Sequence, residues 1–556
     1  MKKNRKKTNT SIRILISVGI LVACFTILIG RTAYLQFIRG GELRQLALDQ
    51  QTKENEITPR RGTIYDCNGK ELAVSANVDT VVVDPKRINE EGNSLQVVTT
   101  LSEVLGVDKD KIYSALEKQS RFEYIKKRIS AEESAILRSY ISGKDEDGND
   151  LPESTLKDHN LVGVSLVSDT KRYYPYSNLA AQVLGNVGAD NQGLEGLEYE
   201  YDEYLKGTAG TIVKSDSTVG SPTFEYEEYY NAQSGCDIVL TIDESIQRIV
   251  ESSLEEAYIE NKAAGGGAAI VMDPHTGAIL AMASVPTYNL NEPIEITDPE
   301  TLAKLDSLDG ADYNAAYVEA TSKIKRNKPS VDVYEPGSTF KVVTMASAVN
   351  EEVVDIFKDH FYDSGKVTVD GSVLKCWKAG GHGDQTFLEV LQNSCNPGFV
   401  KLGQLLGKER LFSYISKFGF GEKTGVDLNG EGTGIIFPLE KVGNVELATS
   451  AFGQGPSVTP IQQVMAVSAV VNGGYLYKPY VVKNITDNTN SVIFENNKIL
   501  RRKVISSKTS SIMRIALEHV VAKGGGRSAY IEGYRIGGKT GTAQKQENGV
   551  YLVNNY

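Results

Sequence analysis

The sequence has few cysteines and histidines, and it has no excess of positive charge. Its 556 residues include 5 Cys, 5 His and 1 Trp, and 60 Lys and Arg against 71 Asp and Glu give a net charge of −11. Such a chain is not expected to bind nucleic acid, because phosphate contacts need a basic surface. Five scattered cysteines are too few for a disulfide framework. The length and the 40% hydrophobic content predict two or three domains with real cores.

Long hydrophobic runs are also scarce, since only one stretch, near the N-terminus, is long and apolar enough to cross a membrane. Residues 14–30 carry no charge, and residues 1–13 are basic with no acid. We predict a cytoplasmic stub over residues 1–13 and a single transmembrane anchor over residues 14–35, with the rest of the chain extracytoplasmic. A cleaved signal peptide is the alternative, but its apolar region is usually shorter and ends in a small-residue cleavage site.

The chain beyond the anchor changes character near residue 260. Residues 50–255 combine β-rich stretches with a charged, helix-rich region, whereas the apolar stretches on either side of Asp273–Gly277 predict a β-hairpin. Helical spacing of apolar residues predicts helices over residues 340–354, 387–418 and 507–523. The glycine-rich residues 534–539 are a further strand candidate. We therefore predict one domain over residues 50–255 and a second over residues 260–556.

Ser338 and Lys341 are the first candidate catalytic residues. A serine hydroxyl is a poor nucleophile unless a base removes its proton, and a buried lysine with a depressed pKa can act as that base. The spacing alone is weak evidence, because it recurs at Ser154, Ser168, Ser322 and Ser372. Only Ser338 follows the turn Glu335-Pro-Gly and precedes a long apolar helix that could bury the lysine.

Two further groups of residues would complete such a site. Ser394 and Asn396 offer a hydroxyl and an amide on one loop, suited to relaying a proton and holding a substrate amide. Lys539, Thr540, Gly541 and Thr542 offer a cation, two hydroxyls and a glycine where a ligand could approach the backbone closely. A rival Lys-Thr-Gly at residues 423–425 is rejected, because it follows Ser394 too closely and acids flank it.

The order and spacing of these three groups of residues resemble those of a known enzyme family. The series Ser-x-x-Lys, Ser-x-Asn and Lys-Thr-Gly resembles that of the penicillin-recognising serine acyltransferases. Residues 61–69, 193–198, 241–243 and 453–455 are similar to signatures of class B penicillin-binding proteins, the monofunctional peptidoglycan transpeptidases. The resemblance covers residues 55–556 and, within the family, is strongest to the sporulation and elongation-type enzymes.

The resemblance implies a fold and a set of partners. It implies an α/β transpeptidase domain, with an antiparallel sheet sandwiched by helices, preceded by a β-rich elongated pedestal, the dimerisation domain, and one N-terminal transmembrane helix. Family members continue beyond Lys-Thr-Gly-Thr, so the domain over residues 260–556 is expected to be truncated at its C-terminus. The implied partners are peptidoglycan stem peptides, β-lactams, the membrane and a polytopic glycan polymerase.

The resemblance also assigns roles to the candidate residues. Ser338 would attack the penultimate D-alanine carbonyl with Lys341 as its base, and Ser394 would pass the proton to the leaving D-alanine. Asn396 would bind the substrate amide, and Lys539 would set the electrostatic potential around Ser394. Substrate binding would involve Thr540, Gly541 and Thr542.

The implied activity is D,D-transpeptidation in cell-wall or spore-cortex synthesis, with no cofactor required for catalysis. A hydrolase and a catalytically silent penicillin-binding scaffold are the alternatives. A serine triad is disfavoured, because no histidine comes with a Gly-x-Ser-x-Gly elbow.

A possible metal site lies beside Ser394. Cys376, His382 and Cys395 are soft ligands suited to tetrahedral zinc, and Asp363 could be the fourth ligand. Some elongation-type relatives carry zinc at matching positions, so we predict a structural zinc site that pins the Ser394 loop. The alternatives are a Cys376–Cys395 disulfide that switches this loop on and off, and two buried free thiols.

Overall fold

The structure, a computed structural model, describes residues 5–39, 52–145, 147–215, 227–543, 546–547 and 550–551. Residues 1–4 of the predicted stub, residues 50–51, 146 and 216–226 of the predicted pedestal, and residues 544–545, 548–549 and 552–556 of the predicted second domain lie outside these ranges. The chain forms two compact units, Met1–Pro59 with Thr208–Gln233, and Arg60–Gly207 with Ser234–Tyr556.

The strands of the described residues are, in chain order, β1 (Thr52–Ile57), β2 (Ile64–Tyr65), β3 (Glu71–Val83), β4 (Glu123–Ile129), β5 (Val164–Tyr173), β6 (Gly210–Ser215), β7 (Glu227–Tyr230), β8 (Asp237–Leu240), β9 (Gly267–Met272), β10 (Ile279–Val285), β11 (His360–Asp363), β12 (Lys366–Val369), β13 (Ser372–Lys375), β14 (Gly383–Thr386), β15 (Tyr475–Tyr477), β16 (Val482–Thr486), β17 (Val492–Glu495), β18 (Leu500–Lys503), β19 (Gln546–Glu547) and β20 (Val550–Tyr551).

The α-helices of the same residues are α1 (Arg5–Ala33), α2 (Pro85–Glu91), α3 (Ser94–Leu105), α4 (Lys109–Leu116), α5 (Ala131–Ser142), α6 (Glu153–Asp158), α7 (Ala181–Leu184), α8 (Gly196–Glu200), α9 (Asp202–Leu205), α10 (Glu244–Glu260), α11 (Pro299–Asp306), α12 (Gly310–Lys325), α13 (Lys328–Val331), α14 (Lys341–Asn350), α15 (Phe387–Gln392), α16 (Asn396–Lys417), α17 (Asn444–Ser450), α18 (Pro460–Val471) and α19 (Ser507–Lys523). A π-helical turn covers Tyr34–Ile38, and 3-10 turns cover Gly337–Thr339, Leu439–Lys441 and Arg527–Ala529.

The first unit contains the apolar helix and a three-stranded sheet. The helical segment Ile12–Ile38 has a mean hydropathy of 2.6 and is long and apolar enough to cross a membrane. The sheet is antiparallel in the order β1-β6-β7, with Thr52 opposite Ser215 and Thr211 opposite Tyr230. Both elements belong to the N-terminal part of the chain and to the segment around residues 208–233.

The second unit contains a mixed seven-stranded sheet, called here the pedestal sheet, in the order β17-β16-β8-β2-β3-β4 with β5 on β3. The pair β2–β8 is parallel and the other pairs are antiparallel. Strands β16 and β17 come from residues 482–495, so residues far along the chain complete a sheet begun before residue 85. Helices α2 to α5 enclose a separate apolar core beside β3 and β4, and a capping box of Ser130 and Glu133 starts α5.

The part of the second unit that carries the candidate catalytic residues Ser338, Lys341 and Ser394, called here the catalytic half, is built on the predicted β-hairpin and helices. Strands β9 and β10 form an antiparallel pair, and helices α10 and α18 both pack on it. Every residue of α14 from Lys341 to Val349 is buried, because α16, α18 and α19 surround this helix. The largest apolar core of the described residues lies around α14.

The strand predicted over residues 534–539 is wrong: the structure gives no strand there. The segment lies against helix α19 instead, where the Gly538 N–H donates to the Leu517 carbonyl at 3.2 Å. A cavity of 930 Å³ is lined by this segment, by β9 and by helices α18 and α19. The glycines let the backbone approach the helix, and the cavity lies between the segment and the edge of β9.

Candidate active site

Ser338 lies in the 3-10 turn that leads into α14. The Gly337 N–H donates to the Gly453 carbonyl at 3.0 Å, and both glycines have positive φ, 51° and 86°. A Cβ on Gly453 would lie 2.1 Å from the Gly337 oxygen, so only glycine allows this approach. The hydrogen bond and the glycine pair therefore fix the backbone next to Ser338.

Lys341 is completely buried, one turn beyond Ser338. Its Nζ donates to the Ser394 carbonyl at 2.8 Å, to the Ser394 Oγ at 3.1 Å and to the Asn396 Oδ1 at 2.6 Å. All three acceptors are neutral. Burial, and then the positive charge of Lys539, hold the pKa of Lys341 well below its usual range. The neutral amine that a general base requires is therefore favoured.

Ser394 lies on the turn between α15 and α16, and Asn396 is the first residue of α16. Ser394 has a left-handed backbone with φ of 52°, a conformation that costs a non-glycine residue on the order of 1 kcal/mol. Backbone hydrogen bonds to the end of α15 hold the turn, from Ser394 N to Leu391 O and from Cys395 N to Val390 O. The Asn396 Nδ2 donates to the Lys375 carbonyl at 3.3 Å, which ties α16 to β13.

The segment from Lys539 to Thr542 passes directly beside the turn that carries Ser338. A Cβ on Gly541 would lie 2.8 Å from the Thr339 side chain and 3.1 Å from the Pro336 oxygen, so glycine permits the close approach. The Lys539 Nζ donates to the Thr540 carbonyl at 2.9 Å. Burial lowers the pKa of Lys539 to about 8.

These residues surround one cleft of 660 Å³. Its lining includes Ser338, Ser394, Asn396, Thr540 and Thr542. Lys341 reaches the cleft through Ser394 and Asn396, and Lys539 lines the neighbouring 930 Å³ cavity. The structure thus brings together side chains that lie up to 204 positions apart in the sequence. Their catalytic and substrate-binding roles stay predictions.

The cleft also has residues that the sequence did not single out. Trp377 lines it and is 68% exposed, and the indole Nε1 donates to the Asn393 carbonyl at 2.8 Å. Lys375 and Lys523 add positive charge, and none of the described lining residues is an acid. Phe452 and Gln454, on either side of Gly453, also line the cleft. The Gly-Gln-Gly signature at residues 453–455 was the sequence feature from which this part of the lining could have been predicted.

The four candidate metal ligands lie together behind the Ser394 turn. The ligand atoms of Asp363, Cys376, His382 and Cys395 are all within 4.8 Å of one another. Asp363 Oδ2 is 2.9 Å from His382 Nδ1 and 3.3 Å from Cys395 Sγ, and Cys376 Sγ is 3.4 Å from His382 Nδ1. The group offers one oxygen, one nitrogen and two sulfur atoms, which are donor types that zinc accepts.

The electrostatics of this cluster keep the carboxylate ionised and both thiols protonated. Burial alone would raise the pKa of Asp363, but hydrogen bonds from His382 and the Gly365 N–H lower it to about 2. Burial raises the pKa of both the Cys376 and the Cys395 thiols, so both are protonated at neutral pH without a cation. Both cysteines are free thiols in the structure, and a metal ion would displace their protons.

The rival Lys-Thr-Gly segment at residues 423–425 has a structural role. Thr424 is buried, and Glu431 accepts hydrogen bonds from its N–H and hydroxyl and from the Gly425 N–H. Its polar groups are satisfied inside a loop and do not line the cleft. The rejection of this segment as part of the site stays a prediction.

Two family models match the chain. The penicillin binding protein transpeptidase domain matches residues 267–556, and the penicillin-binding protein dimerisation domain matches residues 56–240. The first match alone covers more than half of the chain.

Individual relatives cover most of the chain. The stage V sporulation protein D of Bacillus subtilis is 44% identical over 543 residues, 97% of this chain and 77% of that protein. The peptidoglycan D,D-transpeptidase FtsI of Escherichia coli K12 is 28% identical over 549 residues, 97% of this chain and 82% of that protein. A crystal structure of a peptidoglycan synthetase from Bifidobacterium adolescentis matches with a TM-score of 0.65 and 26% identity, covering 89% of this chain and 86% of that one.

Proposed function

The chain belongs to the family of penicillin-binding proteins with a dimerisation domain and a transpeptidase domain, and from this premise we propose that it cross-links peptidoglycan as a serine-type D,D-transpeptidase. Cell-wall cross-linking agrees with relatives named peptidoglycan D,D-transpeptidase and stage V sporulation protein D. The single observation that carries the serine mechanism is a buried lysine, with a lowered pKa, one helical turn from Ser338.

The proposed reaction begins with acyl transfer to Ser338. Neutral Lys341 takes the hydroxyl proton while the Ser338 Oγ attacks the carbonyl carbon of the penultimate D-alanine. Ser394, hydrogen-bonded to the lysine, passes the proton to the nitrogen of the leaving D-alanine as the peptide bond breaks. The amine of a neighbouring stem peptide then attacks the acyl-serine and loses a proton to the same base, which returns that proton to the Ser338 Oγ as the ester bond breaks.

Substrate binding follows from the polarity of the cleft. The stem peptide ends in a carboxylate, and the cleft has lysines on its wall but no acid among its described lining residues. Thr540 and Thr542 would bind this carboxylate beside the charge of Lys539. Gly541 permits their segment to lie close to the turn that carries Ser338. Asn396 would hold the substrate amide. The backbone N–H groups of Ser338 and Thr542 would bind the oxyanion.

The experiment that tests the serine mechanism is penicillin labelling with mass spectrometry of the intact protein. We expect one penicilloyl adduct on Ser338 in the wild type and none in Ser338→Ala. Ser322→Ala is the matched control, because Ser322 also precedes a lysine by three residues but lies exposed on α12. An unchanged adduct in Ser338→Ala would contradict the proposal, and full biological function of that variant would favour the silent scaffold.

Products made from stem peptides distinguish the transpeptidase from a hydrolase. With a donor pentapeptide and an acceptor amine, we expect a cross-linked peptide and free D-alanine. Release of D-alanine without a cross-linked product would identify a carboxypeptidase instead. Liquid chromatography with mass spectrometry resolves both products.

A structural zinc ion at Asp363, Cys376, His382 and Cys395 is the proposed cofactor, outside the chemical steps. The fit of the four donor atoms supports it. When bound, zinc would pin the turn that carries Ser394, since Cys395 is the residue before helix α16. We expect about one zinc per chain by elemental analysis, and two extra titratable thiols after chelation. Protein with neither zinc nor free thiols would instead indicate the Cys376–Cys395 disulfide.

Localisation follows from the apolar N-terminal helix and the charge beside it. The positive-inside rule places the basic N-terminus in the cytoplasm and the transpeptidase part outside it, near its substrate. The proposed macromolecular partner is a polytopic glycan polymerase, which would make the glycan strands that the transpeptidase joins. Protease protection in intact cells tests the topology, because only an extracytoplasmic domain is cleaved from outside.

A further inference from the structure

A small cavity lies where strand β5 of the pedestal sheet meets the loop after β10. Its volume is 230 Å³, and its described lining residues include Arg128, Lys171 and Arg172 but no acid. Asn291, on the loop after β10, also lines it and makes two hydrogen bonds with the Tyr174 backbone, at 3.0 and 2.9 Å. The cavity thus lies at a contact between the pedestal sheet and the catalytic half of the second unit.

Arg172, one of the residues that line this cavity, has an unused donor. The residue is 4% exposed, its Nε donates to Glu198 Oε1 at 2.7 Å, and its Nη1 donates to the Gly62 carbonyl at 2.7 Å. Its Nη2 is buried and has no hydrogen-bond partner among the described residues. A buried donor on a charged group is unfavourable without an acceptor, so this nitrogen would gain from an anionic acceptor.

Arg128 is directed to the same place by a β-bulge. Between the pairs Asp79–Ile129 and Val81–Lys126, strand β4 has one residue more than β3, and Arg128 takes a left-handed φ of 55°. A bulge redirects side chains, and here it places a guanidinium group at the cavity. The Arg128 Nε is buried without a hydrogen bond, although it lies 3.5 Å from Asp169 Oδ2.

The local charges leave one positive charge uncompensated. Two arginines share two carboxylates in the buried cluster behind the cavity, and Arg128 faces Asp169. Lys171 makes no ion pair with a carboxylate of the described residues. Four basic groups therefore face three acids: Arg61, Arg128, Lys171 and Arg172 against Asp169, Glu198 and Asp202.

We propose that this cavity binds one small, singly charged oxyanion, such as a carboxylate or monobasic phosphate. The anion accepts from the Arg172 Nη2 and from Arg128, and Lys171 balances its charge. Charge-assisted hydrogen bonds of this kind are short and strong, and arginine geometry suits both oxyanions. Because Asn291 also lines the cavity, a bound anion stabilises the contact between the pedestal sheet and the catalytic half.

The test measures binding of inorganic phosphate to the full-length protein in detergent by equilibrium dialysis, against chloride of equal ionic strength. We expect one saturable site per chain in the wild type and about ten-fold weaker binding in Arg128→Gln and Lys171→Gln. Lys157→Gln is the matched control, because Lys157 is an exposed lysine paired only with Glu153 on α6. Arg172→Gln is avoided, since it would remove a partner of buried Glu198.

A second readout is the thermal unfolding midpoint, which a bound ligand raises. Phosphate should raise it in the wild type and in Lys157→Gln more than in Arg128→Gln. Absence of saturable phosphate binding, an equal effect of chloride, or unchanged affinity in Arg128→Gln overturns the proposal. Lys171 is exposed, so its replacement leaves folding intact and provides a variant if Arg128→Gln fails to fold.

Discussion

Two completely buried basic side chains in this molecule have opposite surroundings. The Nζ of Lys341 makes its hydrogen bonds to three neutral oxygens of Ser394 and Asn396. Arg61 contacts two carboxylates, Glu198 at 2.6 Å and Asp202 at 2.7 Å. Burial alone would lower the pKa of both groups, but the carboxylates outweigh burial and raise the pKa of Arg61. A paired buried cation is fixed as structure, whereas an unpaired one can lose its proton and react.

The strongest test of this contrast makes Lys341 permanently charged. In Lys341→Arg the guanidinium cannot lose its proton, so we expect acylation by penicillin to slow by about 10²–10⁴-fold. Lys341→Ala should lose a similar amount, because it also lacks the base. The second-order rate constant of labelling measures both variants.

Lys401→Arg, at an exposed position of α16, is the control and should label at the wild-type rate. Rapid labelling of Lys341→Arg would show that the charge of this residue, and not its basicity, matters in the cleft.

The next test breaks the paired cluster. Glu198→Gln leaves buried Arg61 and Arg172 without their shared carboxylate, and we expect it to lower the free energy of unfolding by about 3–5 kcal/mol. Denaturant titration of the full chain measures the loss. Glu90→Gln removes the partner of Lys86 in an exposed surface pair and should leave stability unchanged. Equal effects of the two substitutions would remove the distinction between the two buried cations.

The pH dependence of acylation sharpens the contrast within the cleft. Lys341 must be neutral, so the rate should rise as the pH rises through its lowered pKa. Lys539 must be charged to set the field around Ser394, so the rate should fall as the pH rises through about 8. We expect a bell-shaped profile in the wild type and loss of the alkaline fall in Lys539→Arg, which stays charged. An alkaline fall that persists in Lys539→Arg would assign it to another group.

The smallest predicted effect concerns the neutral hydrogen bonds that shape the cleft. Trp377→Phe removes the donor to the Asn393 carbonyl, next to Ser394. One neutral hydrogen bond contributes about 1 kcal/mol, so labelling should slow by no more than about five-fold. A loss as large as that of Lys341→Ala would mean that the indole itself contacts the ligand.

Local patterns predicted the elements of the site well. The apolar spacing after Phe340 predicted helix α14, and the turn at Asp273 predicted the hairpin of β9 and β10. The strand over residues 534–539 was wrong, because the Gly538 N–H bonds to a helix carbonyl instead of a strand. No local pattern indicated that β16 and β17 complete the pedestal sheet, since pairing between distant segments depends on the whole fold.

The sequence by itself determined which chemical groups are present and how nearby ones are spaced. It placed a hydroxyl and an amine one helical turn apart, and it placed one apolar segment after a basic N-terminus. Only the tertiary structure decided that Lys341 has neutral partners, that Arg61 has two carboxylates and that four candidate ligands meet behind Ser394. The physical reason is that desolvation and Coulomb interactions depend on distances in space, which chain segments far apart in sequence set together.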